Sequence, residues 1–247
     1  MSIVCGHRGL GPTRAGGSFP ENTLESIRAA MQAGATMVEF DVQLSADVSV
    51  GAYVAYEWEK TRLMPAGAYL STSDAMGPGA ERINAGATGV FQRQDDLEAR
   101  NSGQYGAQLR WRSEELDTDF GFYAIRYHAT GPSNIWTTLT GFPPSATSAG
   151  SLAASSYRWA YHEGIRAYGV SFAKSVGEWG LAGELSYRTN APLASSGQSV
   201  LSSINVNTTF NNSDNPGYAV GETAHAQFSW IASLGPSFLS QEASFVG

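Results

Sequence analysis

Apolar and polar positions alternate with a period of two through most of this chain. Tyr105, Ala107, Leu109 and Trp111 interleave with Gly106, Gln108, Arg110 and Arg112. Val50, Ala52, Val54, Tyr56 and Trp58 stand against Gly51, Tyr53, Ala55, Glu57 and Glu59, and Tyr123, Ile125 and Tyr127 against Ala124, Arg126 and His128. Tyr168, Val170 and Phe172 oppose Gly169, Ser171 and Ala173. The longest run sets Trp179, Leu181, Gly183, Leu185 and Tyr187 against Gly180, Ala182, Glu184, Ser186 and Arg188, and Ala226, Phe228 and Trp230 oppose His225, Gln227 and Ser229. Side chains two apart on a strand point the same way, so the pattern predicts strands with one apolar face each.

Short links at 114–117 and 175–178 make neighbouring runs into hairpins. Between the hairpins lie long stretches rich in Gly, Ser, Asn and Pro (61–104, 131–162 and 190–222), which read as loops. Tight links at one end, long loops at the other, and Trp179 and Tyr187 closing an aliphatic face are the signature of a transmembrane barrel. In that reading Trp58, Trp111, Trp179, Leu181, Leu185, Phe228 and Trp230 face lipid, and Arg110, Arg112, Arg126, Glu184 and Arg188 face an aqueous lumen. A soluble β-sandwich alternates too. Sandwiches, however, rarely put aromatics at strand ends on the apolar face with Gly, Ala, Ser and charge on the other.

Residues 1–47 follow a different rhythm. Ile3-Val4-Cys5 is a short apolar run ending at Gly6-His7-Arg8-Gly9, and a polar loop leads to Pro20-Glu21-Asn22-Thr23. Leu24, Ile27, Ala30 and Met31 then recur at helical spacing, with Asn22 or Thr23 as N-cap and Gly34 as the stop. From Met37 to Gln43 alternation returns, with Val38, Phe40 and Val42 on one face and Glu39 and Asp41 on the other. Strand, loop, helix, strand makes a βαβ unit. Two carboxylates about 7 Å apart on one strand face can offer hard oxygen ligands to a divalent cation.

This segment resembles the glycerophosphodiester phosphodiesterase family. The matching text is His7-Arg8-Gly9, Pro20-Glu21-Asn22-Thr23, the helix to Gly34-Ala35, and Val38-Glu39-Phe40-Asp41-Val42-Gln43-Leu44-Ser45. The resemblance implies a TIM barrel with its chemistry at the strand C-terminal ends. It also implies that His7 is a general acid/base, that Arg8 holds phosphate, and that Glu21 supports a Mg²⁺ or Ca²⁺ site built on Glu39 and Asp41. The family's second histidine belongs just after Asp47, where this chain reads Val48-Ser49-Val50-Gly51-Ala52-Tyr53. A later glutamate has no counterpart, and most of the eight βα units are missing. The expectation is an inactive stub rather than an enzyme.

Composition agrees with the β-rich majority. Charged residues are 15%, low for a soluble globular protein, and Gly is abundant at 28 copies. A net charge of −7 without a Lys/Arg cluster argues against a nucleic-acid partner. The single Cys5 makes neither a disulfide nor a thiolate metal site. Asn207-Thr208-Thr209 fits a glycosylation sequon, and His128, His162 and His225 are too scattered to argue a metal site.

From Ser49 to Gly247 the chain resembles a family of proteobacterial outer-membrane proteins, domain-of-unknown-function family thirteen-oh-two. The resembling text includes Ala55-Tyr56-Glu57-Trp58-Glu59-Lys60, Glu115-Leu116-Asp117-Thr118-Asp119-Phe120-Gly121-Phe122-Tyr123 and Gly183-Glu184-Leu185-Ser186-Tyr187-Arg188. The whole is therefore expected to be mainly β. Residues 48–247 should form an antiparallel outer-membrane-type barrel fragment, preceded at 1–47 by a TIM-derived βαβ stub. The implied role is a passive pore, or traffic of lipid or hydrophobic compounds. The expected partner is the membrane, through the apolar face, and no cofactor is expected in the barrel. With no signal peptide at its start, the chain as written is expected to stay cytoplasmic or form inclusions. The competing expectation is a metal-dependent phosphodiesterase that releases glycerol 3-phosphate and an alcohol.

Overall fold

The computed structural model describes residues 5–7, 22–45, 47–71, 74–75, 77–84, 90–131, 134–138, 155–193, 199–202, 210–234 and 243–247. In chain order the first elements are β1 (Cys5–His7), α1 (Leu24–Gln32), β2 (Met37–Gln43), β3 (Val48–Ala55), β4 (Arg82–Asn84), β5 (Val90–Arg93), β6 (Gln104–Ser113) and β7 (Thr118–Tyr127). They continue with β8 (Asn134–Thr138), β9 (Ser155–Ala160), β10 (Ile165–Val176), β11 (Trp179–Pro192), β12 (Ser199–Ser202), β13 (Val220–Leu234) and β14 (Ala243–Val246). Arg8 and Glu21 lie outside the described residues, as does the sequon at 207–209.

The N-terminal unit folds as its pattern dictates. Thr23 caps α1 by accepting the Ser26 N–H on Oγ1 at 3.2 Å, and the helix gives way at Gly34, whose φ of +88° glycine alone adopts freely. β1 then pairs parallel with β2, as a βαβ unit requires. From β2 onward the alternating runs pair antiparallel in one open nine-stranded sheet, ordered β1-β2-β3-β6-β7-β10-β11-β13-β14. β2 pairs with β3 across seven residue pairs, so the sheet runs without a break over the junction at 47/48.

Two of the connections are tight. At 114–117 a four-residue turn joins Ser113 to its partner Thr118, and Asp117 takes a positive φ of +46°. Between β10 and β11 the link shortens to Gly177-Glu178, with Gly177 at +61°.

The long connections are the main surprise. They build a second, five-stranded sheet in the order β12-β8-β9-β5-β4, with strands drawn from all three excursions between the hairpins. Its pieces are three to six residues long, too short for periodicity to register. Many of the most buried residues gather here and at nearby strand ends (Tyr157, Trp159, Ala160, Tyr161, Ile165, His128, His162 and Tyr218), while Ser26, Ala30 and Val38 are buried at α1 and β2.

Trp58 belongs to this cap. It lies beyond the end of β3, is buried, stacks edge-to-face on Tyr161 at 5.0 Å and donates its indole N–H to the Ala129 carbonyl. Its expected lipid-facing position is therefore wrong. Alternation carried past Ala55 only by coincidence.

The faces of β7 also differ from expectation. Leu109 pairs with Phe122 and Trp111 with Phe120, so Phe120, Phe122 and Ala124 continue the apolar face, and Tyr123, Ile125 and Tyr127 lie opposite. Aromatics stand in both sets, Phe120 and Phe122 in one and Tyr123 and Tyr127 in the other, and each set also holds a charged residue, so alternation within β7 cannot choose between them. The turn at 114–117 chooses, because a shift of one residue flips every side chain. Arg126 consequently sits on the side of Tyr105 and Tyr168, away from Arg110, and donates to the Gly103 carbonyl at 2.8 Å.

Candidate functional site

Register turns the nine strands into two chemically distinct faces. Across the apolar face one row reads Val50, Leu109, Phe122, Val170, Leu185 and Ala226 from strand to strand. Tyr105, Tyr168 and Tyr187 lie on the cap side of that row, and Trp111, Phe120, Phe172, Phe228, Trp179 and Trp230 lie toward the tight turns. Aromatic pairs tie neighbouring strands together, Trp111 with Phe120 at 5.4 Å and Trp179 with Trp230 at 5.3 Å. The Phe172 ring covers Gly183, where any side chain would collide with it.

Most of these large side chains remain exposed: Leu185 is 58% accessible, Phe228 60% and Tyr105 53%. Tyr187 and Trp179 are eight positions apart, about 27 Å along an antiparallel strand. A barrel-like tilt of ~40° reduces this to about 20 Å, close to the ~25 Å apolar band of outer-membrane barrels.

The opposite face is polar and floored by small residues. Its rows read Gly51, Gln108, Tyr123, Gly169, Ser186 and His225, then Ser49, Arg110, Gly121, Ser171, Glu184 and Gln227. The second row, with Gln108 and Tyr123 of the first, lines an open groove of about 840 Å³. Tyr123 and Ser171 hydrogen-bond at 3.3 Å over Gly121, which leaves no room for a side chain there. Arg110 and Glu184 flank this small-residue floor across three strand spacings, about 14 Å. Arg112 is held by Asp117 at 2.6 Å and Asp119 at 2.8 Å. Of the expected polar-face residues, Arg110, Arg112 and Glu184 border the groove, Arg188 shares the face one row nearer the cap, and Arg126 does not share it.

The phosphodiesterase residues are divided. His7 ends β1, opposite Glu39 in the backbone register. Glu39 and Asp41 share the polar face, and Asp41 Oδ1 and Gln108 Nε2 both crowd the space above Gly51. Among the described residues no group of three or more His, Cys, Asp or Glu side chains could hold a metal ion.

Periodicity could not reveal the polar framework of the cap. Asn212 threads one side-chain amide among three carbonyls: Leu97 at 3.3 Å, Glu98 at 3.0 Å and Tyr161 at 2.8 Å. His128 is fully buried, with Nε2 on the Ser102 carbonyl and Nδ1 accepting the Gly164 N–H, both at 2.9 Å, which fixes a neutral ring. Lys60 bridges Asp96 and Glu98, and Arg93 also binds Asp96. Burial would depress the Lys60 ammonium, but these carboxylates outweigh it and hold it above its ordinary value. Burial would likewise raise Asp96, yet Lys60 and Arg93 keep it low.

His162 is also fully buried, and its Nδ1 meets the Tyr218 hydroxyl at 2.8 Å. Burial pushes its pKa below the ordinary value near 6.5, while Asn190 and Glu163 oppose the shift. A base depressed in the folded state binds protons more readily when unfolded. Cap stability therefore falls as pH drops through about 6.5 and levels off below the folded pKa. The protection factors of the Glu163 and Tyr161 amides, taken relative to the base-catalysed intrinsic rate at each pH, should fall between pH 7.5 and 5. His162→Gln should flatten that dependence, and an unchanged slope would assign it elsewhere.

Among the described residues, no helix is long and apolar enough to cross a membrane, a criterion that does not address β-barrels. The family described as protein of unknown function (DUF1302) matches residues 32–247. The glycerophosphoryl diester phosphodiesterase family matches residues 7–52. The two matches overlap at 32–52, the stretch that holds β2 and the start of β3. No curated protein and no solved structure matches.

Proposed function

This chain belongs to the DUF1302 family, fused to a short phosphodiesterase-like N-terminus, and we propose that its sheet is the wall of an outer-membrane pore. The apolar face meets lipid, and the polar face lines a water-filled path for small polar solutes. One observation carries the reading: an apolar row bounded on both sides by aromatics, most of them exposed, backs onto a polar groove. Contiguous apolar surfaces beyond a few hundred Å² mark membrane or partner contacts rather than a bare soluble surface. The groove favours polar solutes over lipid traffic, because Arg110 and Glu184 flank its floor.

The test is purification with and without detergent, followed by reconstitution. The protein should aggregate in plain buffer and stay dispersed in detergent. It should also make liposomes permeable to a pentose while leaving them tight to a large dextran. A sharp monomer of 26.2 kDa in plain buffer, with cooperative unfolding and no affinity for vesicles, would refute the pore.

A further inference from the structure

The outer edge of β2 is where an antiparallel sheet would add its next strand, and parity identifies the groups on it. Tyr56 donates to the Thr36 carbonyl and Leu44 donates to the Val48 carbonyl. Even-numbered residues of β2 therefore turn their N–H and C=O groups toward β3. Those of Met37, Glu39, Asp41 and Gln43 point outward.

Two features of the N-terminal segment occupy this edge. β1 lies parallel alongside residues 37–39. Past its end, Asn22 Oδ1 accepts the outward Asp41 N–H at 3.0 Å. Asn22 does so from a left-handed backbone, φ +58°, a region that asparagine enters more readily than other non-glycine residues. The next residue is Thr23, the cap of α1, so one turn both starts the helix and closes the edge.

The β1–β2 contact is the one parallel pairing in the nine-stranded sheet, and an up-and-down meander cannot continue through it. The opposite edge differs. β14 covers 231–234, and Gly247 exchanges two backbone hydrogen bonds with Trp230. Along 220–229 no strand among the described residues pairs on that side.

We infer that β1 and the Asn22 turn act as an edge cap, which keeps a second copy of this chain from adding a strand to β2. Unpaired strand edges template association, and covering them with a loop or helix is a standard protection. The phosphodiesterase-derived residues thus perform a task that needs no catalytic set. The occupant they exclude is a second copy, because its alternating strands repeat the same two-faced pattern and would extend both faces in phase. β1 leaves an edge of only three residues, too short to template well, so association through the longer edge at 220–229 stops at a pair, whereas a bared β2 would let the sheet grow without limit. The inference rests on the sheet alone and not on the pore.

The test compares the full chain in detergent micelles with a double variant, Gly6→Pro with Asn22→Ala. Proline removes the N–H at the centre of β1, and alanine removes the acceptor for Asp41. Amide exchange at Asp41 and light-scattering mass over a concentration series are read together. In the parent, Asp41 should be protected and the mass should plateau at one or two chains. In the double variant, Asp41 should exchange at least tenfold faster and the mass should climb with concentration. Asn22→Asp alone keeps an acceptor and should behave as the parent.

A double variant with a fast Asp41 amide and an unchanged plateau would overturn the inference. So would a parent that grows without limit, or an Asp41 amide indifferent to both substitutions. Failed pentose permeation with these results intact would remove the pore and leave the edge cap standing.

Discussion

Leu185→Arg lowers folding stability in a lipid bilayer by about 2–4 kcal/mol, whereas Glu184→Gln next to it changes stability by less than about 0.5 kcal/mol. Leu185 sits in the apolar row that runs between the two bands of aromatics, flanked by Val170 and Ala226 on the neighbouring strands, and is 58% exposed. A residue so exposed on a water-soluble protein would tolerate arginine almost without effect. In a bilayer the same position lies away from both interfaces, so a guanidinium there must be desolvated or drag water in with it. Glu184 turns to the polar groove, where an amide replaces a carboxylate in contact with water. Urea titration in vesicles, followed by tryptophan fluorescence, reads both values. Equal and small effects would show that the apolar face does not contact lipid.

Trp58→Ala has an effect of similar size, about 3–5 kcal/mol, confined to the cap. The indole fills the space beside Tyr161, Trp159 and Ala99, and its N–H satisfies the Ala129 carbonyl. Truncation leaves a cavity and an orphaned acceptor together. Trp58→Phe keeps most of the packing and should cost less, about 1 kcal/mol for the lost hydrogen bond plus the smaller ring. The readout is exchange of the Tyr161 and Ala129 amides, which bond to Leu97 and His162 within the cap. If those amides stay protected while the apolar strands lose stability, Trp58 belongs on the apolar face after all.

The two substitutions probe two kinds of information. Around Leu185, local alternation sufficed. Long uninterrupted runs on β6, β10, β11 and β13 each repeat the two-residue period often enough to set the face of every side chain. The βαβ order of the N-terminus, the Gly34 stop and the hairpin links were equally local, because caps and turns depend on a few adjacent residues. The polar-face arginines and Glu184 followed from the same parity, with Arg126 as the exception.

What the sequence by itself determined, then, was the β class, the faces of its long strands and the two-part ancestry. The tertiary structure decided what depends on partners far along the chain. β7 carries aromatics on both faces, so only its pairing with β6 and β10 could assign Phe122 outward and Tyr123 inward. The cap strands are too short to show a period, and they exist because segments from three separate excursions pair with one another. Asn212 looks like any loop asparagine until residues more than a hundred positions away bring the Leu97 and Glu98 carbonyls to its amide. Asn22 likewise gains its role only when β2 places the outward Asp41 N–H within its reach. A side chain's direction is fixed by its own backbone, but its partner is fixed by the path of the whole chain.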